Sequence, residues 1–140
     1  MAETGTYEYL AARDAKMAQI SFIAEEYSVC GRFCEQSVEK YLKAYLSVYG
    51  NKDDVLLLNS HKPKRLYEAC VKSGFDKVTS DILVILADFS DYYYDTNYPG
   101  DNFIDLTKEQ AENALEVMKT VNNLIKNKLN KSVEDEKQEK

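Results

Sequence analysis

The chain has 140 residues, of which 44% are hydrophobic and 30% are charged, with five glycines and two prolines. This length suits one compact domain, and so few turn-forming residues disfavour an all-β protein built from many short strands. A formal net charge of −6 excludes nucleic-acid binding through the overall charge of the molecule, although it is compatible with a local basic patch.

The amino-terminal residues and the cysteines bear on location and chemistry. Charged and apolar groups alternate over the first twenty residues, which predicts neither a signal peptide nor a membrane span, and we expect a cytoplasmic protein. The three cysteines are interpreted as reduced core residues. Since the single histidine, His61, lies far along the chain from Cys30 and Cys34, we predict no metal site and no cofactor.

Apolar residues at helical spacing define the first two predicted helices. The first helix is predicted from Tyr7 to about Tyr27. Ser28 is the predicted N-cap of the second helix, whose apolar periodicity from Cys30 to Tyr49 is the strongest in the chain. We expect Gly50 to end this helix in the left-handed conformation. A loop is predicted over residues 51–60.

The second half of the chain contains three further predicted helices. Pro63 suits a first helical turn and begins the third helix, which continues to Gly74. The fourth helix opens near Asp76 and ends before Pro99. A capping box, Thr-Lys-Glu-Gln at residues 107–110, precedes the fifth helix.

The predicted architecture is all-α, an up-and-down antiparallel bundle of four or five helices, because short connections favour antiparallel neighbours. We expect a single domain over residues 1–130. Residues 131–140 are rich in Lys and Glu and lack apolar spacing, which predicts a disordered charged tail.

Three segments carry a family pattern. They are residues 33–46, with the run Gln-x-x-Glu-Lys-x-x-Lys-Ala, then His61 followed five residues later by Leu66, and residues 92–100 with a Tyr-Pro step. Over residues 7–129 this pattern resembles a HEPN domain, a small helical bundle of higher eukaryotes and prokaryotes. The resemblance implies a protein that usually dimerises, is often encoded beside a minimal nucleotidyltransferase and belongs to a superfamily of RNA-cleaving toxins and nucleotide binders.

The sequence departs from this family pattern at its catalytic motif. The ribonuclease branches use an Arg followed four to six residues later by His, whereas this chain has Arg only at 13, 32 and 65 and its one His at 61. Asn97 also stands where family members commonly carry Arg before Tyr-Pro. We therefore predict no catalytic residues and favour a protein that binds without catalysing.

A dense basic cluster is the first candidate binding surface. His61, Lys62, Lys64 and Arg65 surround the start of the third predicted helix, where backbone N–H groups add to the attraction for an anion. The alternative is a solvated basic face. Together with positions that match the family pattern, the candidate ligand-binding residues are Lys43, His61, Lys64, Arg65, Asn97 and Tyr98.

Aromatic residues near the end of the fourth predicted helix are the second candidate surface. Consecutive helical residues point about 100° apart, so at least one ring must leave the core. Tyrosine is typical of interface cores, and we predict a homodimer contact here, with packing inside the subunit as the alternative. The predicted interface residues are Phe89, Tyr92, Tyr93 and Tyr94.

Two sets of charged residues have helical spacing. The aspartates between residues 88 and 95 share a helix face, which we interpret as an acidic surface rather than a Mg²⁺ or acid–base site. Glu35, Glu39 and Lys43 form an i, i+4, i+8 ladder, whose Glu–Lys pair is worth a few tenths of a kcal/mol.

The sequence leads to one hypothesis and two alternatives. The hypothesis is a non-catalytic, dimeric HEPN-like binding protein that partners a minimal nucleotidyltransferase or binds a nucleotide or RNA in a toxin–antitoxin-like system. The first alternative is a metal-independent RNA-cleaving toxin with a non-standard active site that uses His61, Arg65 and the aspartates. The second is a structural adaptor without a ligand.

Overall fold

The described residues form a bundle of five helices. The structure is a computed structural model that describes residues 5–50, 58–95, 100 and 104–138. For residues 93–95 and 132–138 it describes the backbone and not the side chains. The helices are α1 (Tyr7–Ile23), α2 (Tyr27–Tyr49), α3 (Pro63–Lys72), α4 (Ser80–Asp95) and α5 (Lys108–Gln138). The described residues contain no strand, which confirms the predicted all-α bundle. Within the same residues, no helix has the length and apolar character to cross a bilayer.

The second helix lies at the centre of the fold. It contacts each of the other four helices, and α1, α5, α4 and α3 follow one another around it. Residues 41–46 of α2 are all buried, so every side of the helix is covered there. This explains why α2 has the strongest pattern in the sequence and why its polar residues are also enclosed.

The corner between α1 and α2 differs from the prediction. α1 ends at Ile23, and α2 begins at Tyr27 after a turn in which Glu25 has a positive φ of 62°. Ser28 is therefore inside α2 and is not its N-cap. Its hydroxyl donates to Asp105 Oδ1 at 2.6 Å and accepts from the N–H of Leu106 at 2.9 Å, so it fixes the segment before α5.

The end of α2 and the start of α4 also differ from the prediction. Gly50 has φ −73° and ψ 168°, an extended conformation, and it caps α2 by donating its N–H to Leu46 O at 2.8 Å. α4 begins at Ser80 rather than near Asp76. The preceding connection is held outside the helix because the N–H of Val78 donates to the Tyr67 hydroxyl at 2.8 Å.

The start of α5 confirms the capping box, but the end of the helix does not match the prediction. Thr107 Oγ1 accepts from the N–H of Gln110 at 3.2 Å, and Gln110 Oε1 accepts from the N–H of Thr107 at 2.9 Å. α5 then continues to Gln138, where a disordered tail was expected from residue 131. The tail sequence has no Gly or Pro, and a helix extends without an apolar stripe when its backbone bonds continue from a formed helix.

Candidate functional site

Three exposed cations surround the first turn of α3. Lys62, Lys64 and Arg65 line a groove of about 360 Å³ together with Ala87 and Ser90 of α4. We call Lys62, Lys64 and Arg65 the basic corner. Glu68, one turn further along α3, is the acidic residue of the groove, so the lining is net positive.

The backbone of the basic corner suits an anion. Lys62 is the N-cap and Pro63 follows it, and no side chain caps this end of α3. The first bond of the helix runs from the N–H of Leu66 to Lys62 O at 3.1 Å, so the N–H groups of Lys64 and Arg65 precede the helical ladder. Within the described part of the chain, the three cations form no ion pair. Donors and charge therefore converge on one small volume.

His61 connects the basic corner to the interior of the bundle. Its Nδ1 lies 3.0 Å from Glu39 Oε1, and Lys43 Nζ donates to the same oxygen at 2.8 Å. The side chains of Glu39 and Lys43 are 5% and 7% exposed, whereas that of His61 is 49% exposed. The Glu39–Lys43 pair of the predicted ladder is therefore present but buried, because α3 and α1 flank this face of α2.

Glu35 completes this group on the same face of α2, one turn before Glu39. It is fully buried, and neither of its carboxyl oxygens has a hydrogen-bond partner among the described residues. Burial first, and then the neighbouring Glu39 carboxylate, raise the pKa of Glu35 to about 10. Glu35 thus holds its proton at neutral pH. We call Glu35, Glu39, Lys43 and His61 the charge cluster.

Two further polar contacts hold α1 and α5 on α2. Asp14 of α1 is buried and pairs with the ammonium group of Lys40. Ser37 donates to Ala11 O at 2.7 Å and accepts from Asn122 Nδ2 of α5 at 2.9 Å. These bonds satisfy polar groups inside the bundle and fix the helices that surround the charge cluster.

Two residues of the predicted aromatic interface, Phe89 and Tyr92, are buried inside the chain. Phe89 is fully buried and Tyr92 is 6% exposed, so the chain itself covers both rings. Burial raises the pKa of Tyr92 to about 12. These two rings contact the core because α4 packs on α2 through this face, and they cannot form a surface for a second molecule. The side chains of Tyr93 and Tyr94 lie outside the described residues.

The comparison with known families gives one finding. A family model described as HEPN domain matches residues 9–128. The chain belongs to the HEPN domain family. This confirms the resemblance seen in the sequence, and the matched range includes the charge cluster and the basic corner. Neither a curated protein nor a solved structure matches this HEPN chain.

The structure divides the predicted ligand-binding residues of this HEPN domain into two connected groups. Lys64 and Arg65 lie in the basic corner, and Lys43 meets His61 through Glu39. Asn97 and Tyr98 lie outside the described residues. All three cysteines are buried and none is in a disulfide bond, as expected of reduced core residues.

Sequence reasoning missed that the two acids of the charge cluster are buried. Glu35 and Glu39 were assigned to an i, i+4, i+8 ladder from their spacing, and the spacing did not show that they are buried. The signal that could have found them is the surrounding pattern, since α2 is apolar on several sides near Tyr41 and Leu46 and so leaves little surface for solvent.

Among the described residues, no group of three or more His, Cys, Asp or Glu could hold a metal ion.

Proposed function

We propose that this HEPN domain is a non-catalytic binding protein that binds a phosphate group of a nucleotide or RNA at the basic corner. The observation that carries this proposal is the convergence of three exposed cations on the uncapped first turn of α3. In a chain of net charge −6, an anionic ligand explains such a cluster of cations better than solvation alone does.

The chemistry of the corner fits a phosphate monoester or diester. Lys64 and Arg65 supply charge-assisted donors, and each such bond contributes about 1.5–3 kcal/mol. Ser90 of α4 also lines the groove, and a serine hydroxyl is a further donor. The first-turn N–H groups of α3 add the positive end of the helix dipole.

A binding role follows from the motif that the sequence lacks. Ribonuclease branches of the family place an Arg four to six residues before the His, whereas residues 55–57 of this chain are Val, Leu and Leu. The phosphate ligand then has cations to hold it but no Arg–His pair to act on the ribose hydroxyl. Symmetric dimerisation does not restore that pair, because both copies lack it.

Binding is tested with ATP and with a short single-stranded RNA by isothermal titration calorimetry. The double variant Lys64→Gln/Arg65→Gln should weaken both ligands at least about tenfold, as expected for two lost charge-assisted bonds. The matched control Lys77→Gln/Lys119→Gln removes the same charge from exposed positions outside the groove and should stay within about 0.5 kcal/mol of wild type. Equal losses in both variants, or no binding by wild type, would contradict the proposal.

A second candidate function is supported by the geometry of His61. Glu39 orients its imidazole through Nδ1, and the ring is half exposed beside three cations, an arrangement that general acid–base catalysis also uses. Metal-independent cleavage of single-stranded RNA, abolished by His61→Ala and retained in Lys77→Gln, would make the chain a ribonuclease. An uncleaved RNA that still binds supports the non-catalytic proposal.

Two parts of the sequence hypothesis stay predictions. Partnership with a minimal nucleotidyltransferase and a place in a toxin–antitoxin-like system come from the family resemblance alone. Co-expression with the product of a neighbouring nucleotidyltransferase gene, followed by co-purification at high salt, tests the first of them.

A further inference from the structure

A groove lies between α4 and α5, away from the basic corner. Both helices pack on α2 and contact each other less than they contact α2, which leaves room between them. The groove has a volume of about 440 Å³, and its lining comes from residues 79–85 and 113–120. We call it the α4–α5 groove. Its volume is in the range of small-molecule sites.

The floor of the α4–α5 groove is apolar. Val117 of α5 is buried, and Ile82 and Ile85 of α4 are partly buried. The two isoleucines are three residues apart and therefore neighbours on the surface of α4. All three branched side chains belong to the hydrophobic core or pack against it. A ligand in the groove thus meets hydrocarbon that is held in place from behind.

Hydrogen-bond acceptors surround this floor. Asp81 of α4 and Glu116 of α5 supply one carboxylate from each helix, and both residues are exposed. Thr79, Asn113 and Thr120 add two hydroxyl groups and an amide oxygen. Among the described residues, no lysine or arginine lines the groove, and neither carboxylate forms an ion pair. The groove therefore has a negative charge that the described chain does not neutralise.

We propose that the α4–α5 groove binds a linear polyamine, a chain of methylene groups that carries ammonium groups at its ends. The methylene groups pack on the two isoleucines and Val117, and the ammonium groups bind the carboxylates of Asp81 and Glu116 through charge-assisted hydrogen bonds. An ammonium group has three donors and no acceptor, so the hydroxyl and amide oxygens of the rim can complete its bonds. Charge complementarity and the apolar floor together select this class of ligand.

Two other cationic occupants match the α4–α5 groove less well. A divalent metal ion takes a shell of oxygen ligands and gains nothing from an apolar floor. In the described part of the chain, no group of three or more His, Cys, Asp or Glu could hold such an ion. A basic segment of another protein would need an interface of about 1,000 Å² to bind stably, whereas this groove has the dimensions of a small-molecule site.

Isothermal titration calorimetry with spermidine tests the site. Nucleotides and RNA are left out, because polyamines bind phosphate groups directly. Wild type should bind spermidine with a Kd below about 1 mM. The double variant Asp81→Asn/Glu116→Gln keeps the side-chain sizes and removes both carboxylates, so it should weaken binding at least about tenfold.

A matched control separates the groove from the overall charge of the chain. Asp91→Asn/Glu112→Gln makes the same two exchanges on the same two helices, at exposed positions that do not line the groove, and should bind spermidine as wild type does. Equal losses in the two double variants, or no binding by wild type, would overturn the proposal.

The apolar floor is tested separately from the carboxylates. Mg²⁺ has the charge of putrescine without its methylene chain, so at constant ionic strength it should bind at least about tenfold more weakly than putrescine. Ile85→Trp fills the groove without changing its charge and should weaken spermidine binding, with circular dichroism as the check of folding. If this variant does not fold, amide chemical shifts of wild type decide, and spermidine should move those of residues 79–85 and 113–120. Equal affinities for Mg²⁺ and putrescine, or shifts confined to other residues, would contradict the proposal.

Two further titrations keep the α4–α5 groove apart from the basic corner, since the two have no lining residue in common. Lys64→Gln/Arg65→Gln should still bind spermidine, and Asp81→Asn/Glu116→Gln should still bind ATP. Either site can therefore fail its test while the other passes. If a lysine-rich peptide binds the groove and spermidine does not, the occupant is a basic protein segment and the polyamine is the wrong ligand.

Discussion

The buried acid of the charge cluster makes a prediction about stability and pH. Glu35 has no exposed surface, and its pKa is raised from 4.5 to about 10. Between these two values the folded chain holds a proton that the unfolded chain has released. The free energy of unfolding must therefore fall as the pH rises through this window.

The size of the effect follows from the single proton. Each pH unit inside the window costs about 1.4 kcal/mol for one proton of difference, so wild type should lose about 3 kcal/mol from this group between pH 6 and pH 8. Glu35→Gln keeps the shape of the side chain and removes the titration. The variant should consequently be more stable than wild type at pH 8, with a smaller advantage at pH 6.

Urea unfolding at a series of pH values from about 5.5 to 8.5 measures the difference in slope. Protein concentration is held constant, because any dimer adds its own contribution to the measured stability. Glu112→Gln, an exposed position on α5, is the control and should keep the wild-type slope. If Glu35→Gln and wild type lose stability in parallel over this range, the carboxyl group of Glu35 is ionised in the folded chain and the argument from burial fails.

Three further substitutions test local contacts, each by thermal or urea unfolding. Gly31→Ala places a Cβ in steric conflict with Leu106 Cδ1 and should cost about 1–3 kcal/mol, with part of the loss recovered when Leu106→Ala makes room. Thr107→Ala removes the N-cap of α5 and should cost about 1 kcal/mol, whereas Thr107→Ser should be close to neutral. Lys43→Met leaves the buried Glu39 without its ammonium partner and should cost about 3 kcal/mol, and a loss below about 1 kcal/mol would mean that this pair is solvated.

Local signals in the sequence predicted the fold well where a helix end depends on neighbouring residues. Pro63 begins α3 and the Thr107 capping box precedes α5, because both effects act within one turn. Ser28 was misassigned for the opposite reason. Its hydroxyl bonds to Asp105, 77 residues away, and no local pattern reports a partner at that distance.

The same distinction explains what was missed at the site. The basic corner is visible in the sequence because Lys62, Lys64 and Arg65 are consecutive or nearly so. The charge cluster is not, because the spacing of Glu39 and Lys43 is also that of an exposed ion pair. Only the arrangement of four helices around α2 decides that these charges are buried.

A buried ion pair is weak support for stability, since apolar residues of similar size often serve as well or better. Glu39 also does something that an apolar residue cannot do, because the oxygen that accepts from Lys43 contacts Nδ1 of His61 as well. His61 directly precedes the N-cap of α3, so this contact ties the start of the helix, and with it the basic corner, to α2. We therefore interpret Glu39 and Lys43 as positioning residues for the corner. On this interpretation the interior charges support the proposed binding site, although they lie beneath it.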